Sequence, residues 1–192
     1  IVQSIDVPVF LPHVVFSWHW HTNRARFVEL FCSDTPTEAD RENFWRELIR
    51  REDPRLKKHP IRKSDKRWAK KTIALSLHGD AVPTTGIGKA SSISLDAYSF
   101  ASVLSSGPTL RTKQLLFAMY IDQYGEEIAA LIWERISWSF HYLYEGVWPR
   151  VKWDQTEWKA EDVSDLEMAG KPLADGMRAL ILCVKGDFDH VA

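Results

Sequence analysis

The sequence predicts an α/β fold: a mixed sheet of three antiparallel strands, a long helix and a parallel fourth strand, preceded by a helical segment. Three observations lead there. Thr72-Ile73-Ala74-Leu75-Ser76-Leu77 alternates apolar and small polar side chains, the two-residue period of a strand. From about Glu126 to Gly146, Ile128, Ile132, Ile136 and Leu143 recur at helical spacing, and Trp148-Pro149 ends the run. Met177 to Val184 is a short continuous apolar stretch, which suits a strand buried on both faces in a parallel pairing.

Each element follows in order. Val7 to Ser33 carries apolar residues three and four apart, a helix with a break near Thr22-Asn23. Thr35-Pro36-Thr37-Glu38 has the capping-box pattern with proline at the first helical position, so a helix runs from there to about Arg51 and buries Phe44, Trp45, Leu48 and Ile49. Asp53-Pro54 stops it. The strand from Thr72 ends at His78-Gly79-Asp80. Ser91 to Leu104 reads as a second strand, Ser105-Ser106-Gly107-Pro108 as a turn, and Leu110 to Ile121 as a third strand antiparallel to the second. Arg150 to Asp175 is polar and acidic, a long connection with one short helix. The chain divides into a helical segment with a basic linker, residues 1–70, and a partial α/β domain, residues 71–192.

Composition narrows the function. The 192 residues are 45% hydrophobic and 27% charged, which excludes a disordered or low-complexity chain. With 25 basic and 26 acidic residues the net charge is −1, so any attraction to nucleic acid must be local. Two cysteines, Cys32 and Cys183, support neither a disulfide framework nor a four-cysteine zinc site. Both are expected to be buried and inert, in a reducing, intracellular compartment. No apolar run is long enough for a transmembrane helix, and no membrane partner is expected. The start at Ile1-Val2-Gln3 and the stop at Phe188-Asp189-His190-Val191-Ala192 suggest a fragment of a longer protein without a signal peptide.

The one strongly biased stretch is Arg55 to Lys71. Lys57, Lys58, Arg62, Lys63, Lys66, Arg67, Lys70 and Lys71 stand there with Arg55 against a single acid, Asp65. It reads either as a solvated linker or as a surface for the DNA backbone. Other patterns are weaker. His13, His19 and His21 belong to an amphipathic helix rather than a metal site. Gly86-Ile87-Gly88-Lys89 is only part of a phosphate loop, though Lys89 could touch a phosphate. Trp133 reads as core, and Trp153 and Trp158 are left open as stacking platforms.

The chemistry-bearing pair is Asp80 and Asp187. Each follows a Gly at the end of an apolar strand, and neighbouring strands would set the two carboxylates side by side. Such a pair repels unless a cation lies between, and hard oxygen ligands suit Mg²⁺ or Mn²⁺. Asp189 is the alternative ligand to Asp187, and His78 a possible auxiliary. A turn Asp at 80 and a helix-capping Asp at 187 account for the same residues without metal.

The order strand, strand, strand, helix, strand, with Asp80 and Asp187 on the first and fourth, resembles the ribonuclease H-like fold of DDE transposases and related nucleases. Ala179-Leu180-Ile181-Leu182-Cys183-Val184-Lys185-Gly186-Asp187-Phe188 is similar to the stretch around the second catalytic Asp of CACTA-type (En/Spm-like) transposases. Ile73 to Asp80 is similar to the strand carrying the first. The chain also looks like transposon-derived proteins of dinoflagellates. The resemblance covers residues 71–192 and implies a nuclear protein with Asp80 and Asp187 as catalytic metal ligands. The implied reaction is Mg²⁺- or Mn²⁺-dependent cleavage or strand transfer of DNA. Two features depart from the family. Its Asp-Gly-Phe is Asp80-Ala81-Val82 here, and its third acid, a Glu on a later helix, has no counterpart in this chain. A catalytically inactive nucleic-acid or protein binding module is therefore the alternative, and an unrelated α/β protein a further one.

Overall fold

The computed structural model describes residues 7–32, 38–83, 94–105 and 107–186. Its centre is a four-stranded sheet of order β3-β2-β1-β4, with β1 at Thr72–Pro83, β2 at Ser94–Ser102, β3 at Gln114–Met119 and β4 at Arg178–Gly186. β1 pairs antiparallel with β2 and parallel with β4, and β2 pairs antiparallel with β3. The expected three antiparallel strands and parallel fourth strand are therefore present.

Helices cover both faces. On one face lie α1 (Pro12–Thr22), α2 (Arg24–Phe31) and α7 (Ile121–Glu145). Proline opens α1. Asn23 separates it from α2 and caps α2 by accepting the Arg26 N–H at 3.0 Å, which explains the break read near Thr22-Asn23. Phe16, Phe27, Leu30 and Phe31 meet Ile73, Leu75, Phe100, Leu116 and Phe117 of the sheet and Ile132, Ile136 and Leu143 of α7 in one core. The helices of the first 70 residues thus share a core with the sheet. In α7, Gly125 has φ 73 and kinks the helix, and Gly146, with φ 74, ends it in the left-handed conformation.

On the other face lie α3 (Glu38–Arg50), α4 (Pro54–Lys57), a 3-10 turn at Pro60–Lys63 and α5 (Trp68–Lys71). Trp45, Leu56, Ile61 and Trp68 pack there on Ala74 and Leu182. The Trp45 indole N–H donates to the Thr72 carbonyl at 2.9 Å, tying α3 to the start of β1.

Several expectations change in detail. The basic stretch is no loose tether, because Leu56, Ile61 and Trp68 anchor it every few residues. Residues 109–112 form a short helix, α6, so β3 begins only at Gln114. β4 is an edge strand: Ala179 and Leu182 are buried, but Ile181 and Val184 are exposed and Cys183 is half-buried. Cys32 is buried as expected, and burial pushes its thiol pKa up. The connection before β4 holds one short helix, α8 (Val163–Met168), as read. The Thr35-Pro36-Thr37 cap lies outside the described residues.

Candidate active site at the far end of β1

β1 is buried from Thr72 to Ser76, half-buried from Leu77 to Gly79 and exposed at Asp80 and Val82. Asp80 pairs with Ala97 of β2 rather than ending the strand.

Alternation decides which way it faces. Gly79 stands opposite Tyr98, and a β-carbon there would lie 2.7 Å from the Tyr98 ring, so position 79 faces the core of α1, α2 and α7. Asp80 therefore belongs to the opposite face with Ala74, Ser76 and His78, the face of the basic stretch.

The parallel ladder with β4 ends on Gly79↔Gly186. It gets there through a bulge. Leu75 pairs with Ile181 but Ser76 pairs with Cys183, leaving Leu182 as the extra residue. Gly186 has no alternative at this point, since a β-carbon on it would lie 2.6 Å from the Gly79 carbonyl oxygen. Asp187, Asp189 and Lys89 lie outside the described residues.

His78 is beside Asp80 in sequence but is held elsewhere. Its Nδ1–H donates to the Lys185 carbonyl at 3.2 Å, a second link between β1 and β4. Among the described residues, no group of three or more His, Cys, Asp or Glu side chains is placed to hold a metal ion.

The eight basic residues divide. Lys57, Lys58, Arg62, Lys63 and Lys66 are exposed. Arg67 is exposed but pairs with Glu38 at 3.4 Å, and Lys70 pairs with Glu42 at 3.7 Å. Lys71 is half-buried and lines a cavity together with residues of α2 and α3. Asp65, the one acid of the stretch, is engaged by Arg178. Outward charge thus concentrates on 57–66.

The histidines of α1 are structural. His13 Nδ1 lies 2.7 Å from Ser139 Oγ, His19 Nε2 lies 3.3 Å from Gln114 Oε1, and His21 Nε2–H donates to the Leu173 carbonyl at 3.0 Å. Trp133 packs edge-on against Tyr98 and Phe117. The Trp153 ring is covered by the Arg135 guanidinium at 4.5 Å, and the Trp158 indole N–H donates to the Pro149 carbonyl. Neither ring is bare. No helix among the described residues is long and apolar enough to cross a membrane. No family model, curated protein or solved structure matches the chain.

Proposed function

We propose that this chain is the catalytic-core portion of a ribonuclease H-like, transposase-derived protein acting on DNA phosphodiesters. The observation that carries the reading is the Gly79↔Gly186 pairing, because these glycines immediately precede Asp80 and Asp187. One further step of that register would bring the two carboxylates onto neighbouring strands about 5 Å apart. Asp80 with Asp187, or with Asp189, would hold Mg²⁺ or Mn²⁺. Their hard oxygen donors and the exposed position of Asp80 suit such an ion. The bound ion would activate water and stabilise the leaving oxygen.

The basic face supports a DNA partner. Lys57, Lys58, Arg62, Lys63 and Lys66 lie on the same side of the sheet as Asp80. Their anchor at Ala74 is six residues, about 20 Å, from Asp80 along β1. A duplex repeats every ~34 Å, so one bound duplex spans both. These contacts position the backbone without reading bases.

The same exposed cations favour a second reading, a DNA-binding module without catalysis, since they need no third acid. Calorimetric titration with Mn²⁺ tests the first. Binding to the wild-type chain should vanish in both Asp80→Asn and Asp187→Asn, with circular dichroism unchanged. Mn²⁺ heat that survives both substitutions would sink the metal site. DNA binding without any Mn²⁺ heat would leave the binding module.

A further inference from the structure

At the other end of β1, four cations converge on one cavity. Its volume is about 430 Å³, and Arg24, Arg41, Arg67 and Lys71 line it above an apolar floor that includes Phe27 and Met177. Among the described residues, Glu38 and Asp175 are the two carboxylates that face it. Glu38 is taken by Arg67. Asp175 offsets Arg24, whose guanidinium lies over the Trp20 ring. Arg41 and Lys71 have no carboxylate partner among the described residues.

Arg41 is the informative residue. It is only 7% exposed. A buried guanidinium is costly unless an anion or a full set of acceptors meets it. Its Nε–H donates to the Lys70 carbonyl at 2.7 Å and its guanidinium also hydrogen-bonds the Cys32 side chain, and neither partner is a carboxylate. Its positive charge also acts unfavourably on Arg24, so the two guanidiniums are like charges set around one open space. The turn before β4 completes the wall. Asp175 and Gly176 both have positive φ, 52° and 76°, and Lys71 Nζ lies 3.1 Å from where a β-carbon on Gly176 would be.

We propose that this cavity binds a phosphomonoester, the terminal phosphate of a free nucleotide or of a 5′-phosphorylated nucleic-acid end. A dianion matches the two cations left without partners, with Arg41 supplying a planar fork and Lys71 a point charge. The volume leaves room for the group attached to the phosphate. The site uses none of the residues assigned to metal or backbone binding at the Asp80 face except Arg67 and Lys71. It lies about 26 Å from Asp80 along β1.

Calorimetry on the full chain tests it with two ligand pairs: adenosine 5′-monophosphate against adenosine, and a short oligonucleotide with and without a 5′-phosphate. The phosphorylated member of at least one pair should bind and its twin should bind far more weakly. A gain confined to the oligonucleotide pair identifies a nucleic-acid end, and a gain in the nucleotide pair a free nucleotide. Lys71→Gln, at the rim, should weaken that binding about tenfold. Arg41→Gln should abolish it, and Lys71→Gln keeps the test decisive if Arg41→Gln does not fold. Equal binding within both pairs, or unchanged affinity in Lys71→Gln, would overturn the proposal.

Discussion

Gly186 passes so close to Gly79 that a β-carbon on Gly186 would lie 2.6 Å from the Gly79 carbonyl oxygen. The obstacle is main chain inside a paired ladder, so a side chain cannot yield to relieve it. Gly186→Ala should therefore cost about 1–3 kcal/mol, read as a lower urea midpoint. If the Asp80 site binds metal as proposed, the same variant should lose Mn²⁺ binding. A stability unchanged from wild type would show that β4 does not run so near β1.

Acid should destabilise the fold through His13. This ring is buried between Trp138 and Trp148, and burial holds its pKa down to about 3. Ser139 Oγ accepts the His13 backbone N–H at 3.1 Å and lies 2.7 Å from the ring Nδ1, so the buried ring is also held by a hydrogen bond. The unfolded chain takes up a proton below the ordinary value of 6.5 while the folded chain does not. Stability should fall from that pH downward by about 1.4 kcal/mol per pH unit, levelling off near the folded value. His13→Asn should remove this part of the slope. An unaltered slope in urea titrations would disprove the assignment.

A chain beginning at residue 71 should not reach the native state. It would lack Phe16, Phe27, Leu30 and Phe31, all 0% exposed in the core that covers β1 and β2. Each large apolar residue lost from such a core costs about 3–5 kcal/mol, and an ordinary domain holds only about 5–15. Dye binding and a broad thermal transition are expected in place of a cooperative one. Cooperative unfolding of the truncated chain would place the unit of folding at residue 71.

The exposed cations should reveal themselves in salt dependence. Lys63→Gln with Lys66→Gln should weaken DNA binding equally for unrelated sequences. It should reduce the slope of log affinity against log salt by about one for each phosphate contact removed. Lys70→Gln should have a smaller effect, since Lys70 already pairs with Glu42. Identical slopes for wild type and the double variant would remove residues 57–66 from the interface.

Much of the architecture was legible because it rests on local pattern. Alternation from Thr72, helical spacing after Glu126 and the apolar run before Gly186 each depend on the chain's own period, and all three elements are present. The break at Asn23 was legible because an Asx side chain caps the helix it begins. The edge position of β4 was not, since an apolar run looks the same at the centre of a sheet and at its edge. The anchoring of the basic stretch was hidden as well. Leu56, Ile61 and Trp68 are spaced too irregularly among cations to mark a face. Asp80 reads from the sequence as the end of a strand, whereas it lies inside β1 opposite Ala97, and nothing local shows how far the strand runs or which face Asp80 occupies.

By itself, then, the sequence determined the kinds of the main elements, their order and where charge is concentrated, because propensity and periodicity act over a few residues. Only the tertiary structure decided register and convergence. The extra residue at Leu182 sets Gly186 rather than Lys185 opposite Gly79. Likewise Arg24 of α2, Arg41 of α3, Arg67 at the N-cap of α5 and Lys71 of α5 meet at one cavity only when those helices dock on the sheet. Both results depend on packing between segments far apart in the chain, where side-chain shape and backbone approach select one arrangement from many that the local pattern allows.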